Sequence, residues 1–337
     1  MNNTLEFAKK ILEIPSPTGY SIEIASFIEN ELKKRKLAYH KNKKGNIIVP
    51  LKGKTDHTIT FTAHIDTLGA MVRSIKSDGT LIFSVLGGPQ LATYDGEYCT
   101  IITRKGKKYR GTFLSNSPSS HVYKDASTSP RNEENMHIRI DEVVKNKKEV
   151  LNLGINTGDY IALDPKTTIT DSGFIKSRFL DDKISVAILF TIIDYINEKN
   201  IIPNSNLNFL FSTYEETGHG GSNIPETDEL IAVDMGCVGK DLNCTEYDVS
   251  ICVKDSSGPY DFNITNELIQ IAEKEKLNHG IDVYPYYGSD VSAAYRAGND
   301  IKGALVGPGV AASHGMERTH KDGVDATIKL LIKYITK

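Results

Sequence analysis

Three short apolar runs in this chain each stop at or just before a charged or imidazole side chain, and that pattern leaves few folds open. Thr58 to Ala63 runs directly into His64-Ile65-Asp66; Leu207, Phe209, Leu210 and Phe211 lead to the adjacent pair Glu215-Glu216; and Leu230-Ile231-Ala232-Val233 ends at Asp234. Runs this short, rich in β-branched and aromatic residues, read as buried strands. Around them lie segments of helical period. Asp182 to Ile196 puts Ile184, Ala187, Ile188 and Ile192 on one face, and Asn263 to Leu277 and Gly323 to Ile335 repeat the pattern. The chain opens in the same way, with Leu5, Ala8, Ile11 and Leu12, followed by a second helical pattern from Ile22 to Leu32 with Ser21 available as its N-cap. Strands alternating with helices imply an α/β fold, a layered α/β/α core on a mixed sheet. In open sheets of this kind the working side chains stand where strands give out.

One stretch breaks the alternation. Between about Leu68 and Leu163 short β-rich runs such as Leu81 to Val85, Tyr98 to Thr103 and Tyr160 to Leu163 are separated by glycine turns, with only a short helical piece at Ile140 to Val144. The spacing predicts a small β-barrel-like domain inserted into the α/β core. The expected organisation is therefore 1–67 as the first part of the catalytic domain, 68–163 as the insert, and 164–337 as the second part. A length of 337 residues agrees with more than one domain. Within the insert, Ser115 to Glu134 is polar, holds Pro118 and Pro130, and reads as a long loop.

With 39% hydrophobic and 25% charged residues the composition is that of a water-soluble globular chain. A net charge of −3 gives no reason to expect nucleic acid or an anionic membrane as partner. The first residues, Met1 to Glu13, have helical spacing and charges throughout and no apolar leader-like segment, so a cytoplasmic protein is expected. Cys99, Cys237, Cys244 and Cys252 are scattered and form no C-x-x-C, which makes them packing residues.

Five places carry polar residues at the ends of apolar segments: His64 with Asp66, Asp181 with Asp182, Glu215 with Glu216, Asp234, and His320. Imidazoles and carboxylates without a thiolate suit zinc, cobalt or manganese. The set is larger than one catalytic zinc needs, which points to two cations about 3.5–4 Å apart sharing a bridging carboxylate. Asp66, two residues from His64 on the same strand face, is placed to accept the imidazole's second N–H. Neighbouring side chains on extended backbone face opposite ways. On that basis Glu215 and Glu216 are expected to divide the work, one binding a cation and one handling a proton. Gly218-His219-Gly220-Gly221 lacks both Walker spacing and a lysine, so His219 is read as a loop residue within reach of a substrate. His121 and His314 are read as non-ligands, and Ser212 has no G-x-S-x-G context for serine hydrolysis.

Taken in order, T-A-H-I-D-T-L-G, S-R-F-L-D-D-K-I-S-V-A, S-T-Y-E-E-T-G-H-G-G, A-V-D-M-G and E-R-T-H resemble the glutamyl and deblocking aminopeptidases, also called tetrahedral aminopeptidases. The resemblance spans nearly the whole chain and places the β-rich insert where that family carries its dimerisation domain. It implies that His64 and Asp234 bind one metal, that Glu216 and His320 bind the other, and that Asp181 bridges them. By the same resemblance Glu215 is the general base, Asp66 supports His64, and Asp182 follows the bridge across a cis peptide. Gly288-Ser289-Asp290 resembles a stretch near the substrate, which makes Asp290 a candidate substrate contact. Many relatives have Ser-Pro after the last ligand histidine, where this chain has Lys321-Asp322. A hollow dodecamer built from dimers is implied as well.

The expected activity is that of an aminopeptidase with two divalent ions per subunit, releasing N-terminal residues from short unblocked peptides. A water between two such cations is acidified toward a pKa of about 7; Glu215 takes its proton and returns it to the leaving amine. The rival readings are a metal-dependent deacylase or carboxypeptidase on the same core, a metal-free glycosidase using the paired carboxylates, and a scaffold without activity. Tyr284-Pro285-Tyr286-Tyr287, Arg296 and Lys321 are candidates for the pocket rim, leaving the first residue of the substrate open between acidic and large apolar.

Overall fold

The computed structural model describes residues 2–337; Met1, the first residue of the expected opening helix, lies outside them. A ten-stranded mixed sheet forms the centre. Its main strands run in the spatial order Ile47–Leu51, Asn206–Ser212, Thr58–His64, Glu229–Val233, Lys302–Val310 and Val249–Asp255. The Glu229–Val233 strand shows why the sequence reads as continuously apolar there. Ile231 and Val233 face a core shared with Ile188 of helix Leu180–Glu198 and Leu330 of helix Lys321–Ile335. Leu230 and Ala232 face the other way, onto Val291 and Ala294 of helix Asp290–Arg296. A strand covered on both faces has no polar side to alternate with.

Register sets the position of the functional edge. Asn206–Ser212, Thr58–His64 and Glu229–Val233 are parallel neighbours, with Ser212 opposite His64 and Ala232 opposite Thr62. The segments that follow them therefore emerge side by side at the carboxyl edge of the sheet. Asp66, Glu215-Glu216 and Asp234 lie on those segments.

The insert is a closed barrel of six strands in the order Gly69–Ile75, Leu81–Leu86, Met136–Ile140, Lys108–Ser115, Tyr98–Ile102, Tyr160–Leu163. Val72, Phe83, Phe113, Ile138 and Ile161 fill it, Phe83 and Phe113 meeting edge to face at 5.0 Å. The expected helical piece at Ile140 to Val144 is corrected: those residues finish a strand and bend, and the helix is Lys147–Leu153. Asn146 fixes its start by accepting from the Glu149 N–H, and Gly154 stops it at φ 93°. Ser21 precedes helix Ile22–Lys34 but makes no capping bond through its hydroxyl. Barrel and core are tied together by the buried Arg178, whose guanidinium donates to the Thr93 carbonyl at 2.7 Å and to the Gly315 carbonyl at 3.2 Å.

Candidate metal centre

His64 is the last residue of its strand and fully buried. Its Nδ1 lies 2.9 Å from the backbone carbonyl of Asp66, while the Asp66 carboxylate is 3.7 Å away. The support expected from the Asp66 side chain thus comes from its backbone. That contact makes Nδ1 the N–H donor and turns Nε2 toward Asp181 Oδ1 at 3.0 Å. An imidazole lone pair and a carboxylate oxygen at that distance require a proton or a cation between them. Burial pulls the His64 pKa down, but the bond to Asp181 and the fields of Glu215 and Asp234 outweigh it and hold it well above the ordinary value.

The Asp66 carboxylate has another task. It accepts from the backbone N–H of Glu215 at 3.2 Å and of Glu216 at 3.4 Å, and from Thr18 Oγ1 at 2.8 Å. Those two N–H groups belong to a single 3₁₀ turn, Glu215–Thr217, entered through Tyr214 at φ 64°. The extended backbone expected for the glutamate pair is therefore replaced by a turn. Its side chains still diverge: Glu215 Oε2 is 3.7 Å from His64 Nε2, and Glu216 Oε2 is 3.7 Å from His314 Nε2.

Asp181 opens helix Leu180–Glu198 in non-helical backbone, joined to Asp182 by a cis peptide. Its Oδ1 faces His64, and its Oδ2 faces His314 Nε2 at 3.5 Å. One carboxylate thus stands between two histidines. Glu317, also buried, fixes both flanks by accepting from the Asp181 N–H at 3.0 Å and the His314 N–H at 3.1 Å.

The expectation for His320 is corrected by the same geometry. Its Nε2 lies 2.9 Å from the Ser172 carbonyl in the turn before strand Phe174–Ser177, and its Nδ1 accepts from the Asp322 N–H at the start of helix Lys321–Ile335, so both nitrogens serve the backbone. The ring packs against Phe174 and Tyr247. His314 stands in the cluster instead, with Nδ1 held by the Gly88 carbonyl at 2.9 Å. His314 and Glu317 are the residues that the sequence reading passed over. Their H-x-x-E spacing beside an otherwise unexplained loop was the available signal. Lys321 packs against Gly173, away from the cluster.

A pocket of about 220 Å³ opens over the cluster, walled by Asp181, Glu215, Glu216, Asp234, Arg296 and His314, with Tyr286 and Tyr287 at its side. Asp290 and His219 do not line it. Asp290 is buried behind the glutamate turn, where Thr62 and Ser212 donate to it. His219 stacks on Tyr214, with its Nδ1 2.9 Å from Lys44 Nζ.

The side chains fit a divalent cation. Ligating atoms of His64, Asp181 and Glu216 lie within 4.8 Å of one another, as do those of His64, Asp182 and Asp234. Glu216 Oε1 and Asp182 Oδ1 are buried without a hydrogen-bond partner among the described residues. Burial, reinforced by the charge on Asp181, raises Asp234 to about 7 and pushes Glu216 well above the carboxylate range. Burial, with Asp181 again beside it, takes Glu317 to about 8. Carboxylates so crowded and so dry stay ionised only with positive charge among them.

A layered α/β core with this carboxylate–imidazole cluster at its strand ends defines a metal-dependent hydrolase. The M42 glutamyl aminopeptidase family profile matches residues 45–330. YhfE of Bacillus subtilis (strain 168), whose name assigns it provisionally to the aminopeptidases, is 49% identical over 338 residues, spanning 99% of this chain and 98% of its own. The glutamyl aminopeptidase of Lactococcus lactis subsp. cremoris (strain MG1363) is 25% identical over 233 residues, 67% of this chain and 64% of its own. The Pyrococcus horikoshii TET1 peptidase shares the fold, with a TM-score of 0.87 at 24% identity over 99% of both chains. The chain belongs to the M42 family and is a metallo-aminopeptidase.

Proposed function

We propose that this aminopeptidase releases the first residue of short, unblocked peptides, with two divalent cations per subunit and Glu215 as general base and acid. The observation that carries the reading is Asp181, whose two oxygens face His64 and His314 separately while Glu215 stands beside His64. His64, Asp181 and Asp234 would hold one ion, and His314, Asp181 and Glu216 the other. Zinc, cobalt and manganese all suit this nitrogen and oxygen set. When bound, such ions supply Lewis-acid polarisation of a carbonyl and acidify water.

The chain's own residues account for the rest. Glu215, with no share in the ligand set, takes a proton from the attacking water and delivers it to the leaving amine. Burial, with Asp234, Asp290 and Glu216 nearby, raises its pKa well above the ordinary value, which suits a group that must hold a proton between two steps. The acidic wall of the pocket complements a free N-terminal ammonium, and a volume of about 220 Å³ leaves space for little more than the terminal residue. Arg296 reaches the same pocket, where among the described residues only the Ser257 hydroxyl partners its guanidinium, and favours an acidic first residue.

The barrel would serve assembly. The Pyrococcus horikoshii TET1 peptidase is described as assembling into a tetrahedron or a large octahedral shell. In this chain Tyr98, Val122 and Val143 expose 58%, 72% and 94% of their surface on the insert, apolar area suited to contacts between copies. We infer a homo-oligomer, a dodecamer built from dimers, working in the cytoplasm. No helix among the described residues is long and apolar enough to cross a membrane.

The test is hydrolysis of glutamyl, leucyl and lysyl p-nitroanilides and of an N-acetylated peptide, before and after chelation, with zinc, cobalt and manganese restored separately. Turnover should vanish on chelation, return with metal, and be fastest on the glutamyl substrate. Cleavage of the blocked peptide at internal bonds would overturn the reading.

A further inference from the structure

A second concavity, larger than the one over the metal cluster, lies elsewhere in the molecule. A cavity of about 450 Å³ lies at the seam between barrel and core, bounded by Leu12, Ile14, Pro15 and Phe179 on one side and by Ala162 and Leu163 of the barrel on the other. Among the described residues none lines both cavities. Its size is that of a small-molecule site, and its wall sets an apolar strip of Leu12, Ile14, Pro15 and Phe179 beside a larger share of polar side chains.

Two polar groups in this wall are left unsettled by the protein itself. Lys183 is 1% exposed, and its Nζ donates to the Ile14 carbonyl at 2.6 Å. An ammonium carries three donors, so that bond leaves two N–H groups over. Among the described residues no carboxylate lies within the 4.0 Å of a salt bridge to it. Ser16, likewise 1% exposed, has a hydroxyl with no hydrogen-bond partner among the described residues. Leaving a lysine charge and a hydroxyl buried and unanswered costs free energy in each case.

The other cations of the cavity are already matched. Arg110 holds Asp164 through both guanidinium nitrogens, and Lys166 meets Glu97 at 2.6 Å. Glu13 is exposed at the mouth. What the cavity lacks is an anion at its inner end, small enough to share one lysine and one hydroxyl, with an apolar body to lie along Leu12, Ile14 and Phe179.

We propose that this seam cavity binds a small aliphatic carboxylate, its oxygens received by Lys183 Nζ and Ser16 Oγ. Two sources share that chemistry. A free amino acid would present its ammonium toward Glu13 at the mouth, whereas a short fatty acid would use the carboxylate and the apolar wall alone.

Titration of the full chain with hexanoate, leucine and hexylamine at fixed ionic strength tests this, followed by calorimetry and by the rise in Tm. The leucine arm is repeated after chelation, so that binding at the metal cluster does not count. Hexanoate should bind saturably and raise Tm, and hexylamine should not. Leucine binding in the chelated protein identifies the amino-acid source, and its failure beside hexanoate the fatty-acid source. Lys183→Met should abolish binding, and Ser16→Ala should weaken it about tenfold, the scale of a hydrogen bond to a charged group. If Lys183→Met fails to fold, Ala162→Leu fills the cavity from the barrel side with the lysine intact and should abolish binding too. No saturable carboxylate binding, equal binding of hexylamine, or binding unchanged in the lysine or Ala162 variant would overturn the proposal.

Discussion

At the scale of single residues, the two neighbouring glutamates and the two histidines of the 314–320 segment separate chemistry from support. Glu215→Gln removes a proton acceptor and leaves the proposed ligands in place. Turnover should fall about 10²–10⁴-fold with metal content, read by plasma emission spectroscopy, nearly unchanged. Loss of metal along with activity would exchange the roles of Glu215 and Glu216. His314→Ala should lose one equivalent of metal. His320→Ala should keep both equivalents and lose about 1 kcal/mol of stability, since that ring accepts from the Asp322 N–H at a helix start. Equal metal loss in the two would sink the assignment of His314. His64, Asp181, Glu216 and Asp234 were legible because each follows an apolar run or opens a helix. His314 was not, because it sits on irregular backbone at φ 62°, where no periodicity marks a side chain's direction. His320 drew attention by following a strand, yet the helix that begins at Lys321 explains it as a cap.

At the scale of elements, strands and long helices were readable from their periods, and the failures lie where a local cap or turn decides. The helix at Lys147–Leu153 depends on Asn146 and Gly154 more than on any apolar stripe. The turn carrying Glu215 depends on hydrogen bonds to Asp66, a partner 149 residues away. The glycines of the 3₁₀ turn that follows it, Gly220–Ser222, show how tightly the segment is built in. A Cβ on Gly221 would stand 2.0 Å from the Asp290 carbonyl oxygen, and one on Gly220 would stand 2.4 Å from Asp290 Oδ1 and 3.0 Å from Glu215 N. Backbone cannot yield there as a long side chain could. Gly221→Ala should therefore cost about 1–3 kcal/mol and lower kcat by displacing Glu215, with a drop in Tm as the first reading. A variant with unchanged Tm and kcat would mean that the 3₁₀ turn and helix Asp290–Arg296 move apart freely.

At the scale of the whole molecule, the metal cluster is where acidity and folding meet. In the cation-free protein Asp234 is raised to about 7 and Glu317 to about 8, in both cases chiefly by burial, and burial sends Glu215 and Glu216 the same way. A carboxyl whose folded pKa lies above its unfolded value binds more protons when folded, so its contribution to stability is complete below about pH 4 and is lost as pH rises through the folded value. His64 and His314 are raised as well, and lose their contribution above about pH 6.5. Asp181 is shifted down, and its opposite contribution changes only below the ordinary aspartate range. Between about pH 5 and pH 7 the raised carboxyls therefore act together, and the Tm of the chelated protein should fall across that interval. A divalent cation takes the place of those protons, binds more tightly as pH rises, and stabilises the folded state by mass action. With zinc restored, the fall should flatten or reverse, and the gap between loaded and chelated Tm should widen toward pH 7. Scanning calorimetry of both forms at several pH values reads this directly. A chelated protein whose Tm rises over the same interval would show that these carboxyls ionise without penalty and that the cluster does not depend on a cation to hold its charges together.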